Sequence, residues 1–424
     1  MFIRRIKIHN FKSIKNAEIN CSSLTMFVGA NAAGKSNVIN VFRFLQNIMI
    51  RGLDNAIALQ GGIQYMANAN LPKGEPIEVE VTLDLSNEDW IRSVKRKALA
   101  LKVQSFEYHF IIQPNKRGFG YHIDYDYLKV GYDCIEYESP FIELKESINS
   151  KGQFITTFER VSANSKIKKK YQIIGDDSIT DLLKDDLASD FFVSFVNEEK
   201  NELMLSRVEL LLPPLFEKNN FIRIFDFDPK ELKKTSSMAS ITKLEEDGSN
   251  LASVLQTILR DKENSKKLKT LVKLFLPFVE NISIENNPDK SITYKMRESY
   301  NTKAFLSYFL SDGTVSILAL ILALYFEDRS NVIILEEPER NIHPQLLSNL
   351  LSSAEDVSKE KQVIITTHNP IMLRNANLES IRLVSRDKNG MTEVSAPIEN
   401  HIVEEFIKAD LGLDDLFVMG ILEN

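Results

Sequence analysis

The chain has 424 residues, 43% hydrophobic and 26% charged, and a formal net charge of −7. That length allows two or three compact units of ordinary globular composition. The acidic balance excludes a surface that is basic all over, though not a local basic groove. Cys21 and Cys134 lie far apart with no CxxC pair, so neither a zinc site nor a disulfide framework is expected, and a reducing cytoplasm fits. The N-terminus lacks a long apolar core, and no apolar run reaches membrane-spanning length, so no membrane association is expected.

In chain order, residues 1 to 30 read as strands with a turn at Asn10 to Ser13. The apolar run Leu24 to Val28, which looks like a strand, runs into Gly29-Ala30-Asn31-Ala32-Ala33-Gly34-Lys35-Ser36. This reads GxxxxGKS between a strand and a helix, the context that a phosphate-binding loop demands. Gly29 and Gly34 allow a tight turn whose N–H groups face an anion, and the helix adds its positive end. Lys35, read as an exposed loop lysine, reaches the outer phosphates, and the Ser36 hydroxyl ligates Mg²⁺. A plain glycine turn before an ordinary helix is the competing reading. The helix carries Val38, Val41, Phe42, Leu45 and Ile48 on one face.

After the segment Gln60-Gly61-Gly62-Ile63-Gln64, the pattern changes to period two from Ile77 to about Ile174. An antiparallel β lobe is expected there, clearest at Ile77 to Leu83 and continuing at 106–112, 121–130 and 154–161. The basic run Lys166-Ile167-Lys168-Lys169-Lys170 reads first as a solvated hairpin, with nucleic-acid or partner contact as the alternative. Residues 176 to 218 look helical, and Phe221 to Phe225 looks like a strand. Gly248-Ser249-Asn250-Leu251 opens a helical stretch to Phe275 with Ser249 or Asn250 as cap. Residues 281 to 310 look strand-like.

Three motifs follow. Leu310-Ser311-Asp312-Gly313-Thr314 precedes an apolar helix; Val332 to Leu335 ends in Glu336-Glu337-Pro338-Glu339; Val363 to Thr367 ends in His368-Asn369-Pro370. Four- and five-residue apolar runs suit buried parallel strands, and open α/β sheets place ligands at the carboxyl ends of such strands. Glu337 is placed to accept a proton from an attacking water. A solvated acidic turn and a core histidine are the plain alternatives for Glu336-Glu337 and His368 taken singly.

With these motifs the chain resembles the ABC-type ATPases of the SMC, RecF and OLD (overcoming-lysogenisation) group. The resemblance covers nearly the whole chain: the opening Ile6-Lys7-Ile8-His9-Asn10-Phe11-Lys12-Ser13, the phosphate loop, Asp247-Gly248-Ser249-Asn250-Leu251, LSDGT, EEPE and TTHNP. It implies an α/β ATPase head with an antiparallel β lobe and a helical insertion. ATP is held by Lys12, Gly29, Asn31, Ala33, Gly34, Lys35, Ser36 and Asn37, with Mg²⁺ on Ser36 and Glu336. Glu337 polarises the attacking water, and His368 is the switch histidine at the γ-phosphate. Ser311 and Gly313 form the signature that caps a nucleotide held by a second protomer, so a homodimer or higher oligomer is implied.

The expected division is 1–75 for the phosphate-loop half, 76–175 for the β lobe, 176–303 for the insertion and 304–424 for the signature, Walker B and switch-histidine half. Two departures stand out. Glu336 occupies a position where many relatives have Asp, and the magnesium-sensing glutamine has no secure match, with Gln60 and Gln64 as candidates. Sustained heptads are missing between 80 and 300, and only 56 residues follow His368, too few for an OLD-type nuclease domain. The chain therefore reads as a slow ATPase switch that works with a separately encoded nuclease or toxin in bacterial anti-phage defence. The alternative is a RecF-like DNA-binding ATPase. The apolar tail after Gly390 either packs on its own head or docks a partner.

Overall fold

A computed structural model describes residues 1–86, 91–93, 99–116, 120–136, 150–162, 164–175, 193–194, 196–197, 202–212, 221–237, 243–327, 330–374, 376–397 and 412–419. The chain forms two compact units. One comprises Met1–Ser22, Asn37–Phe221 and Ser385–Val394; the other comprises Ser23–Ser36, Ile222–Val384 and Ser395–Asn424.

In the first unit, Phe2–Phe11 pairs antiparallel with Ile14–Asn20 and with Ile77–Asp84. An antiparallel series continues through Leu99–Pro114, Tyr121–Glu136, Ser150–Arg160 and Lys168–Gly175. Ile77, Val79, Val81 and Leu83 are buried in strict alternation, as a half-buried strand requires. The helix Lys35–Arg51 buries the expected face, and also Ile39, Phe44 and Met49. Phe44 reaches Phe11 and Phe110, with ring centroids 5.9 and 6.3 Å away, so the helix is packed on more than one stripe.

Lys168 to Lys170 lie on the last strand of the series, where edge lysines discourage further pairing. Lys170 pairs with Glu159 at 3.7 Å and Lys169 covers the Tyr171 ring. Of the stretch read as helical from 176 to 218, Met204–Leu210 forms a 3-10 helix; residues 176–192 and 213–218 lie outside the described residues.

The second unit is built on a parallel sheet in the order Ile222–Phe225, Val332–Glu336, Gln362–Thr367, Leu24–Val28, Ile381–Arg386. Its central strands are buried along their whole length, which is why they read as continuous apolar runs. The helix Asp312–Tyr325 is buried on every face from Thr314 to Leu324, as an apolar helix without a polar side must be. A small antiparallel sheet of Val279–Asn286 and Ser291–Glu298 carries the short strands Ser236–Ser237 and Phe305–Leu306.

Two local readings change. The stretch from Leu251 to Phe275 is two helices, Leu251–Arg260 and Lys262–Phe275, because Asp261 caps the second by accepting from Asn264 N–H at 2.8 Å. Asn250 stands at the first helix's cap position but makes no capping bond. Its amide instead donates to Lys243 O and accepts from Glu245 N–H, tying down the preceding loop. In the tail, Leu413–Val418 is a helix with Leu416 fully buried, and Arg374 bonds Asp414 at 2.8 Å. This part of the tail packs on its own unit; residues 398–411 and 420–424 lie outside the described residues. Among the described residues no helix is long and apolar enough to cross a membrane.

Candidate active site

Three neighbouring parallel strands deliver the site. Register pairs Glu336 with Thr366, and Thr367 with Val28, so the acidic pair, His368 and the phosphate loop leave the sheet at the same edge. The loop turns through Ala32 at φ 66° and Gly34 at φ 114°, left-handed conformations that glycine adopts freely and alanine only at a cost. Gly29 is there for closeness: a Cβ at this position would stand 2.1 Å from Val384 O.

Lys35 is buried, not the exposed loop residue expected from its motif; its side chain is 6% exposed. Its ammonium donates to Gly29 O at 2.9 Å and Ala30 O at 3.0 Å, and lies 3.7 Å from a Glu337 oxygen. Burial lowers its pKa below the usual lysine value, against a partial opposing pull from Glu337 and Glu339.

Glu337 holds a left-handed backbone, φ 43°, directly after its strand. Such a conformation costs about 1–3 kcal/mol and persists where surroundings enforce it. Here its N–H donates to Thr366 O and Thr366 Oγ1, both at 3.0 Å. The carboxylate accepts from Arg340 Nε at 3.0 Å, and Arg340 also donates to Asp226 at 2.8 Å. Burial pushes the Glu337 carboxyl up, but Arg340, His368 and Lys35 together hold it below the ordinary range. His368 Nδ1 stands 3.2 Å from the same carboxylate without the alignment of a hydrogen bond.

Glu339 is buried behind this group, accepting from Thr367 Oγ1 and from His368 N–H; burial raises its pKa. Arg340, Asp226 and Glu339 were not singled out from sequence. The EEPE pattern contained Glu339, but nothing local linked Asp226 to a residue 114 positions away.

Ser311 caps the apolar helix, accepting from Thr314 N–H at 3.1 Å, and stays exposed. Gly313 is packed so closely that a Cβ would lie 2.7 Å from Asn341 O, in the turn after Glu337. Asp312 pairs with Lys233. Lys12, Asn37, Gln60 and Gln64 belong to the first unit. There Lys12 N–H donates to Met66 O, Asn37 donates to Ser13 Oγ, Gln60 is buried at a helix end, and Gln64 is exposed.

The donor set suits a magnesium–triphosphate group. Mg²⁺ takes one or two protein oxygens together with phosphate oxygens. Ser36 and Glu336 are the protein oxygens expected from sequence, and the Lys35 ammonium, held on Gly29 O and Ala30 O, sits within the loop that would wrap the phosphates. Among the described residues no cluster of three or more His, Cys, Asp or Glu could hold a metal by itself.

Known proteins give matching outlines. The family described as "AAA domain" matches residues 5–276, and that described as "AAA domain, putative AbiEii toxin, Type IV TA system" matches residues 212–374. The chain is 27% identical over 176 residues to "Retron Ec83 probable ATPase" of Escherichia coli, covering 38% of this chain and 31% of that protein. It is 26% identical over 140 residues to the uncharacterized protein MJECL43 of Methanocaldococcus jannaschii, covering 32% and 35%. The chain thus spans about a third of the length of the curated relatives it matches. An SMC head solved bound to the C-winged helix domain of ScpA superposes with a TM-score of 0.52 over 93% of this chain and 97% of that one, at 13% identity. That likeness is one of fold.

Proposed function

Because this chain belongs to the AAA-domain family, we propose that it is an SMC/RecF-like, ATP-driven switch controlling a separately encoded nuclease or toxin in bacterial defence. The carrying observation is the alignment of phosphate loop, Glu336-Glu337 and His368 at one edge of three adjacent parallel strands. The defence reading draws on the toxin-system family description and on the retron ATPase.

In this reading Lys35 leaves its loop carbonyls to neutralise the outer phosphates, where the loop N–H groups also point. Ser36 and Glu336 would hold Mg²⁺, which supplies charge neutralisation between phosphates. Glu337, ionised and fixed by Arg340, accepts a proton from the attacking water. His368 reads the γ-phosphate from the neighbouring strand end. Tagged protein, purified after nuclease treatment, should bring down one stoichiometric effector chain whose activity depends on ATP. An ATPase that retains no protein partner, but needs DNA for turnover, would overturn the effector role.

Arg340 is a positioning residue here. Its removal strips away the main force opposing burial at Glu337, so the carboxyl's pKa rises. A carboxylate base works above its pKa. Arg340→Ala should therefore move the acid limb of kcat to higher pH, with Arg340→Lys moving it less. An unmoved limb would show that Arg340 does not tune the base.

We also propose that sites are shared between protomers through Ser311 and Gly313. Substituting Gly313 disturbs Asn341 of its own chain, so crosslinking is the cleaner test. Asn31 and Ser311 are both exposed. Cysteines placed near Asn31 and near Ser311, in a Cys21→Ser background, should crosslink between chains only with ATP. Crosslinking that ignores nucleotide, or none at any concentration, counts against sharing.

A further inference from the structure

Away from the nucleotide site, the helix Lys262–Phe275 and the strand Val279–Asn286 border an open groove of about 470 Å³. Lys262, Lys266, Lys269 and Lys273 line it. At 3.6 residues per turn, positions i, i+4, i+7 and i+11 fall within about 60° of arc, so the four form one stripe. All four are exposed, and among the described residues none pairs with a carboxylate.

The plain reading of such a stripe is a solvated helix face. Three features set this one apart. The lysines front a concave surface, where low-dielectric walls focus their field. Ser265, Thr270 and Asn281 stand between them as neutral hydrogen-bond groups. Among the described residues the acid lining the groove is Glu280, which already pairs with Arg297 at 3.1 Å, so the groove keeps its positive charge. Of the two acids flanking Lys262 in sequence, Asp261 is engaged as the helix cap, accepting from Asn264 N–H at 2.8 Å, and Glu263 points about 100° round the helix from Lys262. A protein with a net charge of −7 thus concentrates four lysines, none ion-paired among the described residues, on one groove.

We propose that this groove binds the sugar–phosphate backbone of a nucleic-acid strand. From Lys262 to Lys273 the helix rises about 16 Å, long enough for the stripe to meet several successive phosphates of one strand. Lysine is a point-charge phosphate binder and reads no base, so the contact is sequence-independent. The groove has a mechanical link to the nucleotide site's own helix. Lys267, on another face of the same helix, donates to Tyr325 O at 2.7 Å and covers the Phe326 ring at 5.0 Å. Tyr325 ends the helix that Ser311 begins. A strand held in the groove therefore acts on the element that carries the signature.

The test is binding without nucleotide, so that it does not pass through the ATPase reading. Fluorescence anisotropy with a labelled 20-nucleotide DNA, single-stranded and as duplex, should give affinity that falls steeply with salt. Lys266→Glu with Lys269→Glu should weaken binding at least about tenfold and flatten the log–log salt slope by about 1.4 for the single strand or 1.8 for the duplex. An unchanged melting temperature would confirm that this exposed face was altered without unfolding. Lys303→Glu with Lys388→Glu, the same charge change on exposed lysines elsewhere, should leave binding within about twofold. Equal loss in both double variants, or no loss in the groove variant, overturns the assignment. So does polyglutamate competing as well as the oligonucleotide, which would make the groove a seat for acidic protein.

Discussion

Glu337→Gln should lower ATP turnover by about 10²–10⁴, the usual worth of a positioned general base, while leaving ATP affinity in place. Glutamine keeps the length and the carbonyl that can accept from Arg340 Nε, and Arg340 keeps its second partner, Asp226. The left-handed backbone at this position is equally open to both residues, since Thr366 holds it through the main-chain N–H. What the substitution removes is the negative charge and the ability to take a proton. An ATP-bound dimer or larger assembly should then accumulate, visible as an earlier elution in size exclusion with ATP. Turnover at the wild-type rate would hand the base's role to another acceptor. Among the described residues, His368, 3.2 Å from this carboxylate, and Glu339, whose second oxygen is buried without a hydrogen-bond partner, are the candidates.

The elements that carry this chemistry were legible because each is local. A strand buried on both faces must be apolar throughout, so Val332–Glu336 and Gln362–Thr367 announce themselves as short runs that stop at a polar residue. The β lobe reads from strict alternation at Ile77–Asp84. The order of strands in the parallel sheet was not legible. The phosphate-loop strand lies between Gln362–Thr367 and Ile381–Arg386, more than 300 residues away in sequence, and nothing in a five-residue run names its neighbours. The Arg340–Asp226 clamp is hidden for the same reason. The burial of Lys35 came from packing around the loop, which a motif does not describe. Asn250 misled because capping and loop-bracing use the same amide, and only the position of Lys243 and Glu245 decides between them.

Lys35→Ala should abolish measurable ATP binding. A charge-assisted hydrogen bond is worth about 1.5–3 kcal/mol, so losing two to phosphate oxygens weakens affinity roughly 10²-fold or more. The same substitution also touches stability, because this ammonium is buried and satisfies Gly29 O and Ala30 O. Ala30 O keeps a donor in Ala33 N–H, but leaving the buried Gly29 O without the lysine costs about 1–3 kcal/mol, and a lower melting temperature is therefore expected alongside the lost affinity. Lys35→Met separates the two effects. Its unbranched side chain refills most of the space of the lysine stem and restores packing, though not the hydrogen bonds or the charge. ATP affinity should be equally poor in both variants, while the methionine variant melts closer to wild type. If either variant, shown to be folded by its melting transition, binds ATP with wild-type affinity in isothermal titration, Lys35 is not the phosphate ligand and the loop's role must be sought in its N–H groups alone.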